Sequence, residues 1–258
     1  MTGRLRVVVM VGPRGEGLEA LLDYGSRSPD YTIVGALVTT PDSTAIPVLE
    51  RYDIPWVCHD IQAFYRARQV PVRDLQHRPD YDDRSLRYIG AWDPTHLVLF
   101  RYIYIVTPVL LSAFPGRVLN VHDGDLTRRD PTGRPLYRGL HATRDAILDG
   151  ATATRSTVHI VTEEVDMGPP ILLSPAYPVH RRLVRQAQWA GALDVLKAYA
   201  YAHREWMIRD SWGKLIHTAL TLWSQVPLRI LGDRVFWGDR PGPWVLRAYI
   251  ARRETAAP

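Results

Sequence analysis

Short, nearly uninterrupted apolar runs at Leu5–Val11, Leu97–Phe100 and Val118–Val121 constrain this chain more than any other feature. Strands this apolar have no polar face to turn toward water, so they belong in a sheet covered on both sides, as open parallel sheets are. The first run ends at Gly12-Pro13 and is followed by apolar residues at helical spacing, Leu18, Leu21 and Leu22. Strand, tight loop and helix are expected there. Leu140 to Gly150 reads as a second helix, apolar at Leu140, Ala146, Ile147 and Leu148 and ended by a glycine suited to a left-handed cap. Thr157, His159 and Val161 then alternate with Val158, Ile160 and Thr162, a strand that runs into Asp166 and the turn residues Gly168, Pro169 and Pro170. Strand, helix and strand in this order predict a right-handed crossover. The expected fold is α/β: a Rossmann-like open, mostly parallel twisted sheet with helices on both faces and a small C-terminal α+β extension.

The chemistry-bearing residues cluster in the same stretch. Asn120 and His122 stand two apart and share a face if the strand continues through them. Asp166 follows the next strand. Ligands of such sheets bind beyond the carboxyl ends of the strands, where an amide, an imidazole and a carboxylate converge on one centre. Taken singly, each residue type is more often a turn former or a structural partner. Their order and spacing carry the functional reading.

Asn120-Val-His122, Arg138-Gly-Leu-His-Ala-Thr-Arg-Asp-Ala-Ile-Leu-Asp-Gly150, and Ser156-Thr-Val-His through Val165-Asp166-Met-Gly168-Pro169 together resemble the folate-dependent formyltransferase family, most closely its glycinamide ribonucleotide branch. The resemblance runs roughly over residues 4–208 and is dense from about 93 to 173. It implies transfer of a formyl group from 10-formyltetrahydrofolate to the primary amine of a small-molecule acceptor, with Asn120, His122 and Asp166 as catalytic residues. Asn120 and His122 then stabilise developing negative charge on oxygen, and His122 moves protons. Asp166 holds His122 or orders a proton-shuttling water. Phe100-Arg-Tyr-Ile-Tyr-Ile-Val-Thr-Pro108 resembles the family segment that binds the pterin, which implies folate contacts at Tyr104 and Val106, closed from the other side by Thr162 and Val165. Gly15, Glu16 and Gly17 occupy the loop where the branch holds a substrate phosphate. Asp123 and Glu205 are the remaining acceptor contacts.

The departures are specific. Asp123-Gly124-Asp125-Leu126-Thr127 replaces the family's continuation after the Asn-x-His motif, and Arg128 to Arg134 lengthens the loop that follows. Its charges either contact an unusual acceptor or form a solvated surface loop. Glu16 puts a carboxylate where a phosphate dianion would lie, with Arg14 nearby to compensate, so Gly12–Gly17 is either a modified cradle or only a turn. Alternative acceptors are therefore an amino sugar or another specialised amine. Hydrolysis of 10-formyltetrahydrofolate is the other reading that the same triad allows.

Composition narrows the classes further. One cysteine, Cys58, excludes an internal disulfide and a cysteine-rich metal site, which suits a reducing cytoplasm, and no metal is expected. No stretch is apolar for long enough to suggest a membrane span. A net charge of +5 raises nucleic acid as a partner, but the arginines are scattered and it is not expected. The chain is read as a catalytic domain over 1–208 followed by a 209–258 extension. In that extension 210–224 reads as a helix, and Val226–Leu231, Arg234–Trp237 and Trp244–Arg247 read as short strands. It is a candidate cover for the sheet edge or a homodimer surface, with Trp212, Trp223, Trp237 and Trp244 in packing roles. Residues 251–258 are expected to fray.

Overall fold

The apolar runs become neighbouring strands of one eight-stranded sheet. The computed structural model describes residues 4–232 and 234–246, so the C-terminal segment expected to fray lies outside the described residues. In chain order the strands are β1 (Leu5–Val11), β2 (Tyr31–Val38), β3 (Trp56–Cys58), β4 (His96–Phe100), β5 (Val118–His122), β6 (Ala153–Thr154), β7 (Thr157–Ile160), β8 (Pro170–Leu173), β9 (Tyr177–Pro178), β10 (Leu228–Leu231), β11 (Arg234–Trp237), β12 (Arg240–Pro241) and β13 (Trp244–Val245). The helices are α1 (Leu18–Arg27), α2 (Ile46–Arg51), α3 (Ile61–Arg66), α4 (Arg78–Gly90), α5 (Pro108–Ala113), α6 (Ala142–Leu148), α7 (Arg181–Trp189), α8 (Leu193–Met207) and α9 (Gly213–Gln225).

The main sheet runs β13, β8, β7, β5, β4, β1, β2, β3. The strands from β3 to β5 are mutually parallel. β1 lies between β2 and β4, and its residues from Val7 to Val11 are wholly buried, the consequence of helices on both faces. At roughly 1.5–3 kcal/mol for each fully buried aliphatic side chain, this strand anchors the core. The chain leaves β1 toward β2 on one side and returns to β4 on the other, so the topological switch lies between β1 and β4. The loops after these two strands, 12–17 and 101–107, face each other across it, which is where such sheets bind ligands.

The expected right-handed crossover between β5 and β7 does not form: β5 and β7 are antiparallel, with His122 opposite Thr157 and Leu119 opposite Ile160. A parallel return needs a helix that carries the chain back along the whole strand. α6 has seven residues, about 10 Å of rise, and it packs against α8 rather than spanning the sheet. The helix is also shorter than the expected Leu140 to Gly150. It begins after a 3₁₀ turn at Gly139–His141, and Leu140 is 59% exposed instead of buried.

Residue 208, where the sequence reading divides the chain, begins a π-helical turn, Ile208–Trp212, that links α8 to α9. α9 packs against α1 and supplies Leu215, Ile216, Ala219 and Leu220 to the main core, while β13 pairs with β8 at the sheet edge. Trp212 and Trp237 are buried in that core. Among the described residues no helix is long and apolar enough to cross a membrane.

Candidate active site

β5 and β7 build the floor of the site because their antiparallel register sets Asn120 directly opposite His159. Asn120 Nδ2 lies 3.1 Å from His159 Nε2, and His159 Nδ1 lies 3.0 Å from the Ile160 carbonyl oxygen. These two contacts fix the tautomer: Nδ1–H donates to the carbonyl, and Nε2 accepts from the Asn120 amide. A neutral ring is also what its surroundings demand. Burial, with a smaller push from His122, lowers His159 to about 4 against the pull of Asp166. With one amide N–H spent on His159, the second N–H of Asn120 remains for a ligand.

His122 ends β5 and is 6% exposed. Its Nε2–H donates to the Tyr137 carbonyl at 3.0 Å, which turns Nδ1 toward Asp166 Oδ2 at 3.6 Å and Asp123 Oδ1 at 3.9 Å. Gly124 makes this contact possible, since a Cβ there would lie 2.9 Å from His122 Nε2 and 2.8 Å from Tyr137 O. The His-Asp-Gly departure thus has a local reason.

Asp166 reaches the floor by an arching loop. Gly168 packs so tightly against the Ile160 carbonyl that no side chain fits there. Asp166 itself adopts φ 56°, a left-handed conformation uncommon among non-glycine residues and most tolerated by Asn and Asp. Its Oδ2 accepts from Gly139 N–H at 2.7 Å, and its Oδ1 lies 3.7 Å from His159 Nε2.

A cavity of about 330 Å³ opens over this floor. Its walls include Tyr104 and Val106 on one side and Thr162 and Val165 on the other, with Asn120, His122, Asp123 and Asp166 between. The 101–107 wall is pinned from behind: Thr107 donates to Asp82 Oδ2 through both its N–H (2.6 Å) and its hydroxyl (2.8 Å). Burial, opposed by these two bonds, raises Asp82 to about 6. Arg101, at the start of this wall, also adopts a left-handed backbone, φ 52°.

A second cavity of about 400 Å³ adjoins the first, sharing Arg101, Ile103, Asp123, Leu140 and Arg204 with it. Here ion pairs do the positioning. Arg101 donates to both oxygens of Glu205 at 3.0 and 3.2 Å, and its Nε lies 3.4 Å from Glu16. Arg204 bonds Asp123, whose Oδ2 also accepts from Thr143 at 3.2 Å.

The structure therefore gathers Asn120, His122, Asp123, Asp166, Tyr104, Val106, Thr162 and Val165 around one cavity. Gly15, Glu16, Gly17 and Glu205 are not among the residues lining either cavity, and Glu16 and Glu205 are bound behind arginines. Arg14 was expected beside Glu16, and it pairs with it at 3.1 Å; sequence reasoning missed His159 and the arginines 101, 144 and 204. His159 was visible as an inward-alternating residue of the Thr-x-Val-His strand. The arginines carried no signal, because Arg101 and Glu205 stand 104 residues apart.

The formyl transferase family model matches residues 5–187. Phosphoribosylglycinamide formyltransferase of Escherichia coli (strain K12) is 27% identical over 175 residues, covering 65% of this chain and 71% of that protein. Formyltetrahydrofolate deformylase of the same strain is 24% identical over 192 residues, 73% of this chain but 60% of that protein, so the chain spans about three fifths of the deformylase. Glycinamide ribonucleotide transformylase 1 from Symbiobacterium toebii superposes with a TM-score of 0.67 at 25% identity, over 93% of this chain and 96% of that one.

Proposed function

The chain belongs to the formyl transferase family, and from that premise we propose that it moves a formyl group from 10-formyltetrahydrofolate to the primary amine of a small-molecule acceptor, in the manner of glycinamide ribonucleotide formyltransferase. The observation that carries the reading is the convergence of Asn120, His122 and Asp166 on one cavity, with His159 held neutral behind them. The half-apolar walls at Tyr104, Val106, Thr162 and Val165 suit a flat heterocycle, and the donor set at their base suits an acyl oxygen. When bound there, the donor supplies an electrophilic formyl carbon.

The residues divide the remaining work. Asn120 offers its free amide N–H to an oxygen that gains negative charge, and it is held for that task by His159 Nε2. His122 Nδ1, oriented by the Tyr137 carbonyl, is positioned to take a proton from the attacking amine and pass it toward the leaving nitrogen. Asp166 Oδ2 lies 3.6 Å from His122 Nδ1, where its charge stabilises positive charge that develops on the ring as it takes the proton. Asp123 reaches both cavities and orients the amine.

The test is tetrahydrofolate release from 10-formyltetrahydrofolate with glycinamide ribonucleotide, a panel of other amines, and no amine. Amine-dependent release is expected. Equal release without amine would instead assign hydrolysis, the activity named for the deformylase relatives, and folate binding without any release would remove the enzymatic reading.

A further inference from the structure

The arginines that line the second cavity, with the exposed His141 beside them, are already paired with carboxylates. Four guanidiniums border the cavity, Arg14, Arg101, Arg144 and Arg204. Each is already paired: Arg14 with Glu16 at 3.1 Å, Arg101 with Glu16 at 3.4 Å and Glu205 at 3.0 Å, Arg144 with Asp145 at 3.0 Å, and Arg204 with Asp123 and, at 3.6 Å, Glu205. Four cations thus meet four carboxylates: Glu16, Asp123, Asp145 and Glu205. An incoming anion would have to compete with one of these carboxylates for its cation, most steeply at Arg101, whose side chain is 4% exposed, and least at Arg14 and Arg144, 48% and 39% exposed.

The loop that leads into α1 is also occupied. A ten-residue helix presents the positive end of its dipole there. The Leu18 N–H and two donors of the loop before it are spent inside the protein. Gly15 N–H donates to Thr44 Oγ1 at 2.9 Å, Leu18 N–H donates to the Gly15 carbonyl at 3.0 Å, and Glu16 N–H bonds the carboxylate of its own side chain. Burial by itself would raise the Glu16 carboxyl, yet its own backbone N–H and the charges of Arg101 and Arg14 hold it below the ordinary carboxylate value. The Glu16 side chain is 15% exposed, and Oε2 is buried without a hydrogen-bond partner.

We propose that Glu16 is a built-in anion that neutralises Arg14 and Arg101 in front of α1, and that the second cavity therefore takes an acceptor whose amine is carried on an uncharged body. This rests on the formyl-transfer reading of the adjoining site. What the cavity still offers such a body is shape and neutral contact: half-exposed Ile103, Leu140 and the Tyr201 ring, with the arginine N–H edges as hydrogen-bond donors. The ring is itself held in place, because Arg14 stacks over Tyr201 with its guanidinium carbon 5.6 Å from the centroid. Glu16 is a specificity-determining residue on this account, acting by like-charge exclusion of a phosphate and not by touching the reacting atoms.

A matched pair of amines tests this, glycinamide ribonucleotide and its phosphate-free riboside, assayed by tetrahydrofolate release with the wild-type protein and with Glu16→Gln. Inorganic phosphate is titrated calorimetrically into both proteins in parallel. The wild type should favour the riboside by about tenfold or more in kcat/KM, Glu16→Gln should shrink that preference by about tenfold, and phosphate should bind the variant at least about tenfold more tightly. A wild-type preference for the ribonucleotide, or equal phosphate affinity in the two proteins, overturns the proposal. If neither amine is turned over, the phosphate titration alone decides it, while the amine panel separately decides formyl transfer. If Glu16→Gln does not fold, saturable phosphate binding by the wild type at about 1 mM or below overturns the proposal, and its absence supports it.

Discussion

The floor of the first cavity and the second cavity share a wall, yet they are held in place by opposite means. The floor is made by a sheet register: β5 and β7 put Asn120 beside a neutral His159, with few charges and a tautomer set by one backbone carbonyl. The second cavity is bordered by charge, through Arg101, Arg204, Glu16, Glu205 and Asp123, drawn from four separate segments of the chain. Reaction chemistry tolerates little displacement and rests on the rigid sheet. On the proposed reading, acceptor recognition rests instead on loops and helix faces, where sequence changes more freely than in the sheet.

The comparison breaks first at the buried ion pair. Glu205→Ala leaves Arg101, 4% exposed, with only Glu16 for compensation, and is expected to destabilise the fold by about 3–5 kcal/mol in denaturant unfolding. A loss below about 1 kcal/mol would mean that the lattice is solvated and does not hold the cavity.

On the floor the expected effect is kinetic. His122→Ala should lower turnover by about a hundredfold or more, close to 2.7 kcal/mol, with donor affinity changed little. Unimpaired turnover removes His122 from the proposed mechanism.

Asp123 belongs to both regions and separates them. Asp123→Asn leaves Arg204 with Glu205 alone, at 3.6 Å, and is expected to raise KM for the amine by about tenfold, the size of one charge-assisted hydrogen bond, while KM for the folate stays put. Equal changes in both constants would show that the two cavities act as one.

The smallest effect sharpens the account of His159. Its folded value is depressed by burial to about 4, so the unfolded ring binds protons below about pH 6.5 while the folded ring does not. Stability from this group is therefore present above about pH 6.5 and lost as pH falls toward 4. Between pH 7 and pH 6 the wild type should lose about 0.7 kcal/mol more than His159→Gln in unfolding experiments at the two pH values. An identical pH slope in the two proteins would mean that His159 is not held neutral.

Much of this was legible in the sequence because it depends on local pattern. An apolar run such as Val7–Val11 can be satisfied only between two layers, and the spacing of Leu18, Leu21 and Leu22 sets one helix face whatever the fold. Asn120 and His122 share a face by strand geometry alone. The direction of β7 was not legible, because whether the chain returns parallel or antiparallel depends on the reach of its connection, and α6 packs on α8 instead of spanning the sheet. Nor was the burial of Leu140, whose apolar character fits a core helix and a cavity rim equally well.

By itself, then, the sequence determined the covered, mostly parallel sheet, the order of its motifs, and the residues proposed to handle an amine, an acyl oxygen and a proton. Tertiary structure decided that Asn120 is backed by His159, that Asp166 turns in through a left-handed backbone, and that Glu16 and Glu205 are locked by Arg101 rather than open to a ligand. The reason is range. Periodicity and turn chemistry act over a few residues, whereas an ion pair spanning 104 residues exists only once the sheet has brought its two ends together.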